Sequence, residues 1–525
     1  MNCAIAGYGQ DRGIFMSRAT VLAAVAIATC AVIPAMRAVA QPAPVTIDVR
    51  TLAAVGQVSE RFLSYNIEMV ELTGGRFWRP YGSQGTDRYE YRAPIDLANP
   101  RLRKLAAALA PSYVRYSGSW ANATWFTEAD TAPAKAPAGF DTVLTGRQWR
   151  GALAFARASD ARIVTSFATS AGTHDDHGVW QPDNAARWLA YTRRMGGTIS
   201  ATEFGNEPNM LSLLKPPAGY TLADYRRDYG VFVRWLRRAS PGTLLLAPGA
   251  AELGEPIRTQ SKRAPGGGMA EATDLLTAAE PRPDAVSFHF YGSASERCGG
   301  AFLKRSVVDA RAPEWLSTID AGIARSAALR DRFAHGAPLW NTESAETVCG
   351  GNRIASTFAD TFRFVDQLAR SARQGVQVFI HNTLAASDYG MLDEHTYAPR
   401  PDYWAALLWK RLVGTRVLDA PAGAKGLNVY GHCLKGTKGG VVLIAINLDA
   451  AAVRAISVGR PSLTYSLAQG STGPGSAALN EHDLLLRTGD RLPALTGQTE
   501  AGVTIALKPA SVTFIAVPGA ANAAC

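Results

Sequence analysis

Two acidic residues stand where this sequence is best equipped to break a bond. Glu207 follows the run Ile199-Ser-Ala-Thr-Glu-Phe-Gly-Asn-Glu-Pro, and Glu343 closes the run Pro338-Leu-Trp-Asn-Thr-Glu. Each run reads as a short strand ending in a carboxylate. Two carboxyls on different strand ends, roughly 5–5.5 Å apart, can divide the work on one bond: one protonates the leaving oxygen and the other attacks the carbon. That division requires Glu207 protonated and Glu343 ionised at the same pH. A lone glutamate at a strand end is ordinarily a surface or salt-bridged group. The pairing with Asn206-Glu207-Pro208 directly after a strand favours the chemical reading. Glu203, inside the same strand, and Glu346, in the loop after Glu343, are the nearest competitors.

Other polar clusters read as less specific. His174-Asp175-Asp176-His177 has metal-ligating residue types, but adjacent side chains point apart and rarely serve one ion, so it reads as a polar rim loop. No metal or organic cofactor is implied. Trp78, Trp120, Trp125 and Trp180 lie in loops, where they can stack on a ring-shaped ligand or fill the core. Asn122-Ala-Thr124 matches a glycosylation acceptor.

The elements that must hold the two acids repeat along the chain. Candidate strands are Phe62–Asn66, Ser112–Tyr116, Arg162–Phe167, Ile199–Phe204, Thr243–Ala247, Ala285–Phe290, Pro338–Asn341 and Val376–His381. Between them lie stretches with apolar residues at three- and four-residue spacing, such as Asn184–Met195 and Leu222–Ala239. Eight such alternations imply an α/β fold, a (β/α)8 TIM barrel over residues 60–415. A doubly wound open sheet alternates similarly, but no glycine-rich phosphate loop follows the first strand. After Gly414 the pattern becomes alternating strands, among them Gly440–Asn447, Leu484–Arg487, Val503–Leu507 and Val512–Val517. Residues 416–525 therefore read as a β-sandwich, with residues 41–59 (Val45–Leu52 above all) adding an edge strand to it.

The chain of 525 residues is ordinary in composition, 47% hydrophobic and 19% charged, which excludes wholesale disorder. Its one long apolar run, Thr20 to Ala35, follows Arg18 and precedes Ala38-Val39-Ala40, the layout of a cleaved export signal over residues 1–40. A permanent membrane anchor is the alternative, but the run is short of the roughly 20 residues a span needs. The start is Met1 or Met16. Removing residues 1–40 takes three arginines and one aspartate, leaving a net charge of +8. A basic exported protein suits an acidic polysaccharide partner by field and on-rate, although many soluble proteins are simply basic. No Lys/Arg-rich run or binding module points to nucleic acid. Cys298, Cys349, Cys433 and Cys525 remain after the signal, an even number in an oxidising compartment. Their segments favour Cys433 with Cys525 and Cys298 with Cys349. The expected location is secreted or periplasmic, and the expected state is a monomer.

On these residues the chain resembles glycoside hydrolase family 79, the heparanase and β-glucuronidase family. The resemblance is carried by Phe62-Leu63-Ser64, Tyr113-Val-Arg115-Tyr-Ser-Gly118, Glu203-Phe-Gly-Asn206-Glu207-Pro208-Asn209 and His289-Phe-Tyr291. The longest block runs from Tyr389-Gly-Met-Leu-Asp-Glu394 through Pro401-Asp-Tyr-Trp404 to Lys410-Arg-Leu-Val-Gly-Thr415. It implies a retaining glycosidase with Glu207 as acid/base and Glu343 as nucleophile. It further implies that Asn206 bonds the sugar 2-OH, Tyr291 orients Glu343, and Arg115 lies beside the nucleophile. For Tyr291 the alternative is a packed ring; for Arg115, a structural ion pair. Tyr389 and the backbone of Gly350-Gly351 would hold a sugar carboxylate. Two departures from the family pattern are Cys349, where a third glycine is common, and Ser387, which replaces a glycine. Asn66 and Glu68 would contact sugar hydroxyls, with a solvated loop the alternative for Glu68.

The resemblance implies cleavage of β-D-glucuronosyl linkages, internally in a heparan-sulfate-like chain or from its end. A binding protein with a dead barrel is the rival from another class. Internal cleavage calls for an open basic cleft, for which Arg76, Arg79, Arg88, Arg92 and Lys304 are the candidates.

Overall fold

The computed structural model describes residues 43–255, 257–262, 268–276, 282–299, 309–500 and 502–525. The export-signal reading and Lys304 lie outside the described residues. Eight parallel strands close into a barrel: Leu63–Glu68, Ser112–Ser117, Ala161–Phe167, Ile199–Phe204, Leu244–Leu253, Ala285–Tyr291, Leu339–Ser344 and Val376–His381. The eighth strand pairs with the first, Phe379 against Leu63, which completes the ring. At the base the lumen is plugged by Tyr113, Val164, Ala201, Leu246, Ala285, Trp340, Val378 and Ile380, packed as one apolar cluster. A filled lumen leaves only the carboxyl ends of the strands to hold polar side chains.

Helices start where the sequence supplies caps. Thr145 and Gln148 form a capping box at the head of Gly146–Ala158, and Thr221 and Asp224 form another at Leu222–Ala239. Each satisfies backbone donors that a helix end otherwise leaves unpaired. The helix Phe358–Arg373 is buried on nearly every face because it packs against the last barrel strand and against sandwich strands as well. Buried on both sides, it has to neutralise its own charges, and Arg363 does so with Asp360 at 2.6 Å.

The sandwich draws on both ends of the described chain, in a different way from the single edge strand expected. Ala54–Gln57 pairs antiparallel with Val413–Leu418 in the large sheet. Only Val45–Thr46 of the Val45–Leu52 segment is a strand, and it runs parallel to Arg454–Ser457 in a separate three-stranded sheet. Asn522 donates to the carbonyls of Val49 and Leu52 at 2.8 and 3.0 Å, which fixes the turn between the two strands. Leu484–Arg487 is not a strand: the pairing edge is taken by His482–Asp483, and Leu485 is left 61% exposed. Disulfides join Cys433 to Cys525 and Cys298 to Cys349. Among the described residues, no helix is long and apolar enough to cross a membrane.

Candidate active site

The fourth strand ends at Phe204, and the backbone then turns through Gly205 (φ +74°) and Glu207 (φ +54°). A non-glycine residue in the left-handed region costs on the order of 1–3 kcal/mol and persists only where its surroundings over-determine it. Here they do. Glu207 N–H donates to the Gly249 carbonyl at 3.2 Å, and Met210 N–H donates to the Glu207 carbonyl at 2.9 Å. The buried Asn122 side chain accepts from Asn206 N–H at 2.7 Å and donates to the carbonyls of Asn206 and Leu213 at 3.0 and 2.9 Å. Asn122 is therefore a clip for the Asn206-Glu207 turn, and its complete burial corrects the reading of it as a glycan acceptor.

Glu343, in the seventh strand, has a donor on each oxygen. Tyr291 OH reaches Oε1 at 2.7 Å, and Arg115 Nη1 reaches Oε2 at 2.9 Å. Arg115 spends its other nitrogens on Glu203, at 2.8 and 3.1 Å, and on Asn206 Oδ1 at 2.8 Å. Burial alone would raise the Glu203 carboxyl, but the charge and hydrogen bonds of Arg115, together with His289 and the Thr342 hydroxyl, outweigh it and hold Glu203 below its ordinary value. Glu203 is thus a charge partner inside the barrel. His289 completes the link between the two acids, with Nε2 3.1 Å from Arg115 Nη2 and Nδ1 3.2 Å from Glu207 Oε1. A guanidinium only donates, so Nε2 must accept and Nδ1 carries the proton toward Glu207. Carboxylate oxygens of Glu207 and Glu343 lie within 4.8 Å of each other. Although Glu207, His289 and Glu343 also have metal-ligand spacing, Arg115 already brings a fixed positive charge to two of them.

The two acids face a cleft of about 530 Å³ shared with Trp78, Trp120, Tyr291 and Tyr389. Glu68 also lines it. Its Oε1 accepts from Asn382 Nδ2 at 3.0 Å, and the same amide donates to Tyr291 OH at 3.0 Å. Its Oε2 is buried without a partner, and Gly118 makes room for it: a Cβ there would lie 1.4 Å from that oxygen. Burial, and then the nearby Glu343, push the Glu68 carboxyl well above its usual range. Asn66 is placed differently from the sugar contact expected. It sits below the cleft, accepting from Arg115 at 3.3 Å and donating to the Thr342 carbonyl at 3.2 Å.

Gly350 and Gly351 are buried behind the cleft wall that Cys349 and Tyr389 present. A Cβ on Gly350 would lie 2.5 Å from Ser387 Oγ and 2.7 Å from Trp78 Cβ. Cys349 and Ser387, the two departures from the family pattern, keep the glycine-like backbone with φ of +65° and +54°. The Cys298–Cys349 bridge forms part of the wall.

Several candidates stand elsewhere. Trp180 is core, its indole N–H bonded to the Ala168 carbonyl at 3.0 Å, and Trp125 lies beneath Arg187. His174 bonds Asp228 at 3.1 Å in the rim loop. None of Arg76, Arg79, Arg88 and Arg92 lines the main cleft. Arg79 and Arg92 pair with Glu90 and Glu394 at 3.4 and 3.5 Å, because the hairpin that carries them also supplies or approaches acids. Arg76 lines an adjoining cavity together with Tyr89 and Trp120. Sequence reading gave no site role to His289, Asn382 or Arg297, and noted Asn122 only as a glycosylation match. For His289 and Asn382 the signal was available, since both are polar residues in or just past a barrel strand.

A larger cavity of about 830 Å³ lies between the barrel and the sandwich, at the amino ends of the first two barrel strands, and holds no carboxylate pair. The chemistry belongs to the smaller one. A closed parallel barrel with two carboxylates across its carboxyl-end rim is the layout a (β/α)8 glycoside hydrolase requires.

No family model matches the chain. It is 29% identical over 400 residues to heparanase-like protein 1 of Arabidopsis thaliana, covering 71% of this chain and 69% of that protein. It is 31% identical over 179 residues to the baicalin-β-D-glucuronidase of Scutellaria baicalensis, covering 32% and 34%. Among solved structures, a 4-O-α-L-rhamnosyl-β-D-glucuronidase from Fusarium oxysporum 12S superposes with a TM-score of 0.60 at 12% identity, covering 90% of this chain and all of that one. The chain is thus similar to heparanase-like and β-glucuronidase proteins, in line with the resemblance to glycoside hydrolase family 79.

Proposed function

We propose that the chain is a retaining β-glucuronidase in which Glu343 attacks the anomeric carbon while Glu207 protonates the departing oxygen. The C–O bond to the leaving group breaks as the bond to Glu343 forms. Glu207 then takes a proton from water, whose oxygen displaces Glu343 and releases the sugar with its β configuration. One observation carries this reading: carboxylate oxygens within 4.8 Å leave too little space for the water that an inverting enzyme holds between its acids. The relatives' names supply the glucuronide. Tyr389 OH, and Glu68, whose carboxyl burial pushes well above its usual range toward the proton-bearing form, are groups suited to an acidic sugar.

Hydrolysis of an aryl β-D-glucuronide, followed by NMR, tests the proposal. The β anomer should appear first and Glu343→Gln should be inactive. Initial α anomer, or wild-type turnover no higher than that of the variant, would overturn it.

An adjoining cavity of about 380 Å³ shares Tyr89, Ser119, Trp120 and Leu213 with the cleft and adds Arg76 together with Lys215, which is paired with Asp141 in the same lining. That extension favours a neighbouring acidic sugar, and hence cleavage within a heparan-sulfate-like chain. Product sizing decides between the modes, since ladders of oligosaccharides indicate internal cuts and free uronic acid alone indicates release from the end. The signal-like residues 1–40 and two disulfides support export to the periplasm or outside the cell.

A further inference from the structure

Arg297 is a cation that neither acid uses. Its side chain is 6% exposed, and it sits behind the cleft wall between two segments that come from different barrel loops. From the loop after the seventh strand it takes the carbonyls of Cys349 and Gly351, at 3.1 and 2.6 Å. From the loop after the eighth strand it takes the carboxylate of Asp388, the neighbour of Tyr389. Its guanidinium carbon lies 3.9 Å from the centroid of the Tyr81 ring, and Tyr81 N–H donates to Asp388 Oδ2 at 3.1 Å. Both terminal nitrogens and one face of the group are therefore engaged.

These contacts determine which way the peptides face. In a trans peptide the carbonyl and the following N–H point in opposite directions. With the carbonyls of Cys349 and Gly351 turned to Arg297, the N–H groups of Gly350 and Asn352 must point away from it. Asn352 N–H does so, donating to Glu346 Oε2 at 2.7 Å. The Gly350 carbonyl accepts from Asp388 N–H at 3.1 Å, so Gly351 N–H is turned away from the Tyr389 segment. Two glycines with φ of +86° and +83° have little conformational preference of their own. Without Arg297 the Cys349–Gly350 plane loses the bond to its carbonyl, and the Gly351–Asn352 plane is left to the Glu346 bond. The adjacent Cys298 bonds Cys349 covalently and restrains the position of the loop, but a disulfide does not orient peptide planes.

We propose that Arg297 is a positioning residue that sets the sugar-binding wall of the cleft, locking the Cys349–Gly351 loop to the Asp388–Tyr389 segment so that the acidic end of the sugar meets one rigid surface. The inference rests on the glucuronidase reading for its substrate, but its geometric content does not. Arg115, Tyr291 and His289 reach the two acids from other strands, so the loss should fall on binding and leave the chemical step largely intact.

Steady-state hydrolysis of an aryl β-D-glucuronide by the full chain, combined with amide hydrogen exchange, tests it. Arg297→Gln should raise KM by roughly tenfold or more while kcat stays within about threefold, the pattern of lost ground-state binding. Arg297→Lys should recover part of the KM and no more, because an ammonium cannot span two carbonyls and a carboxylate as a planar fork does. Asp388→Asn should raise KM in the same direction, and it carries the test if Arg297→Gln does not fold. Exchange should quicken at residues 350–352 and 387–389 in the variants and stay unchanged in the barrel strands. Unchanged KM together with unchanged exchange overturns the inference, as does a loss confined to kcat. A wild-type protein inactive on the glucuronide would sink the functional reading, and the exchange pattern would still decide this one.

Discussion

Arg115 reaches the Glu343 carboxylate at 2.9 Å with one nitrogen and grips Glu203 with the other two. Glu203 therefore fixes the direction from which the guanidinium meets Glu343. A lysine at this position has one ammonium and cannot satisfy both carboxylates, Asn206 and His289 together. Arg115→Lys should lower kcat on the order of a hundredfold with a small change in KM, the loss typical of a misplaced electrostatic group. Rate measurements at saturating aryl glycoside check this, and a kcat within threefold of wild type would refute it.

Glu207 and Glu343 should separate by leaving group. Glu207→Gln removes the proton donor, so it should cost several orders of magnitude on poor leaving groups and far less on dinitrophenolate-type ones, which need little protonation. A series of aryl glycosides of graded phenol acidity reads this as a steeper dependence on leaving-group pKa. Equal slopes in wild type and variant would contradict the assignment.

Asn122 makes two buried hydrogen bonds to Asn206 in the turn that carries Glu207 and a third, partly buried, to the Leu213 carbonyl. Replacing it with alanine strands three backbone groups, each costing about 1–3 kcal/mol when unpaired. Asn122→Ala should therefore destabilise the fold by about 3 kcal/mol or more and lower kcat with it. Urea denaturation alongside activity assays tests both. Because the residue is buried, protein made in a glycosylating host should carry no sugar at this position, as intact mass will show.

Glu346 gives the fold a pH dependence of known sign. Burial, and then the nearby Asp360, raise its carboxyl to about 7 from an ordinary 4.5. Between those values the unfolded chain has released the proton and the folded chain still holds it, so stability falls as pH rises through the window. Below about 4.5 both states are protonated and the contribution is flat. Glu346→Gln should flatten the decline, so that its stability relative to wild type improves from pH 5 to pH 8 by up to a few kcal/mol. Parallel stability curves for the two proteins would exclude the effect.

The barrel and its acid pair were legible because strand ends and carboxylates are local features. Ile199–Phe204 and Val376–His381 were read with their exact bounds. The fifth strand was read as stopping at Ala247, since Pro248-Gly249 is ordinarily a stop signal. In the structure an irregularity between Pro248 and Ala250 carries the strand on to Leu253. What sequence reading missed depends on partners far along the chain. Asn122 acts on a turn 84 residues away, and Arg297 on a loop more than 50 residues on. Asn66 was misplaced because a strand-end position does not say whether a side chain meets the ligand or the arginine beneath it.

The way Ala54–Gln57 and Val45–Thr46 are woven into sheets made of late residues imposes an order of assembly. When those strands leave the ribosome their partners, Val413–Leu418 and Arg454–Ser457, do not yet exist. The early segment must wait unpaired while some 350 residues of barrel are made, as an open edge that other chains could capture. A nascent chain halted before Ser511–Val517 would lack the strand that joins Val441–Asn447 to Ser462–Gln469, so the large sheet cannot be completed until that strand has emerged.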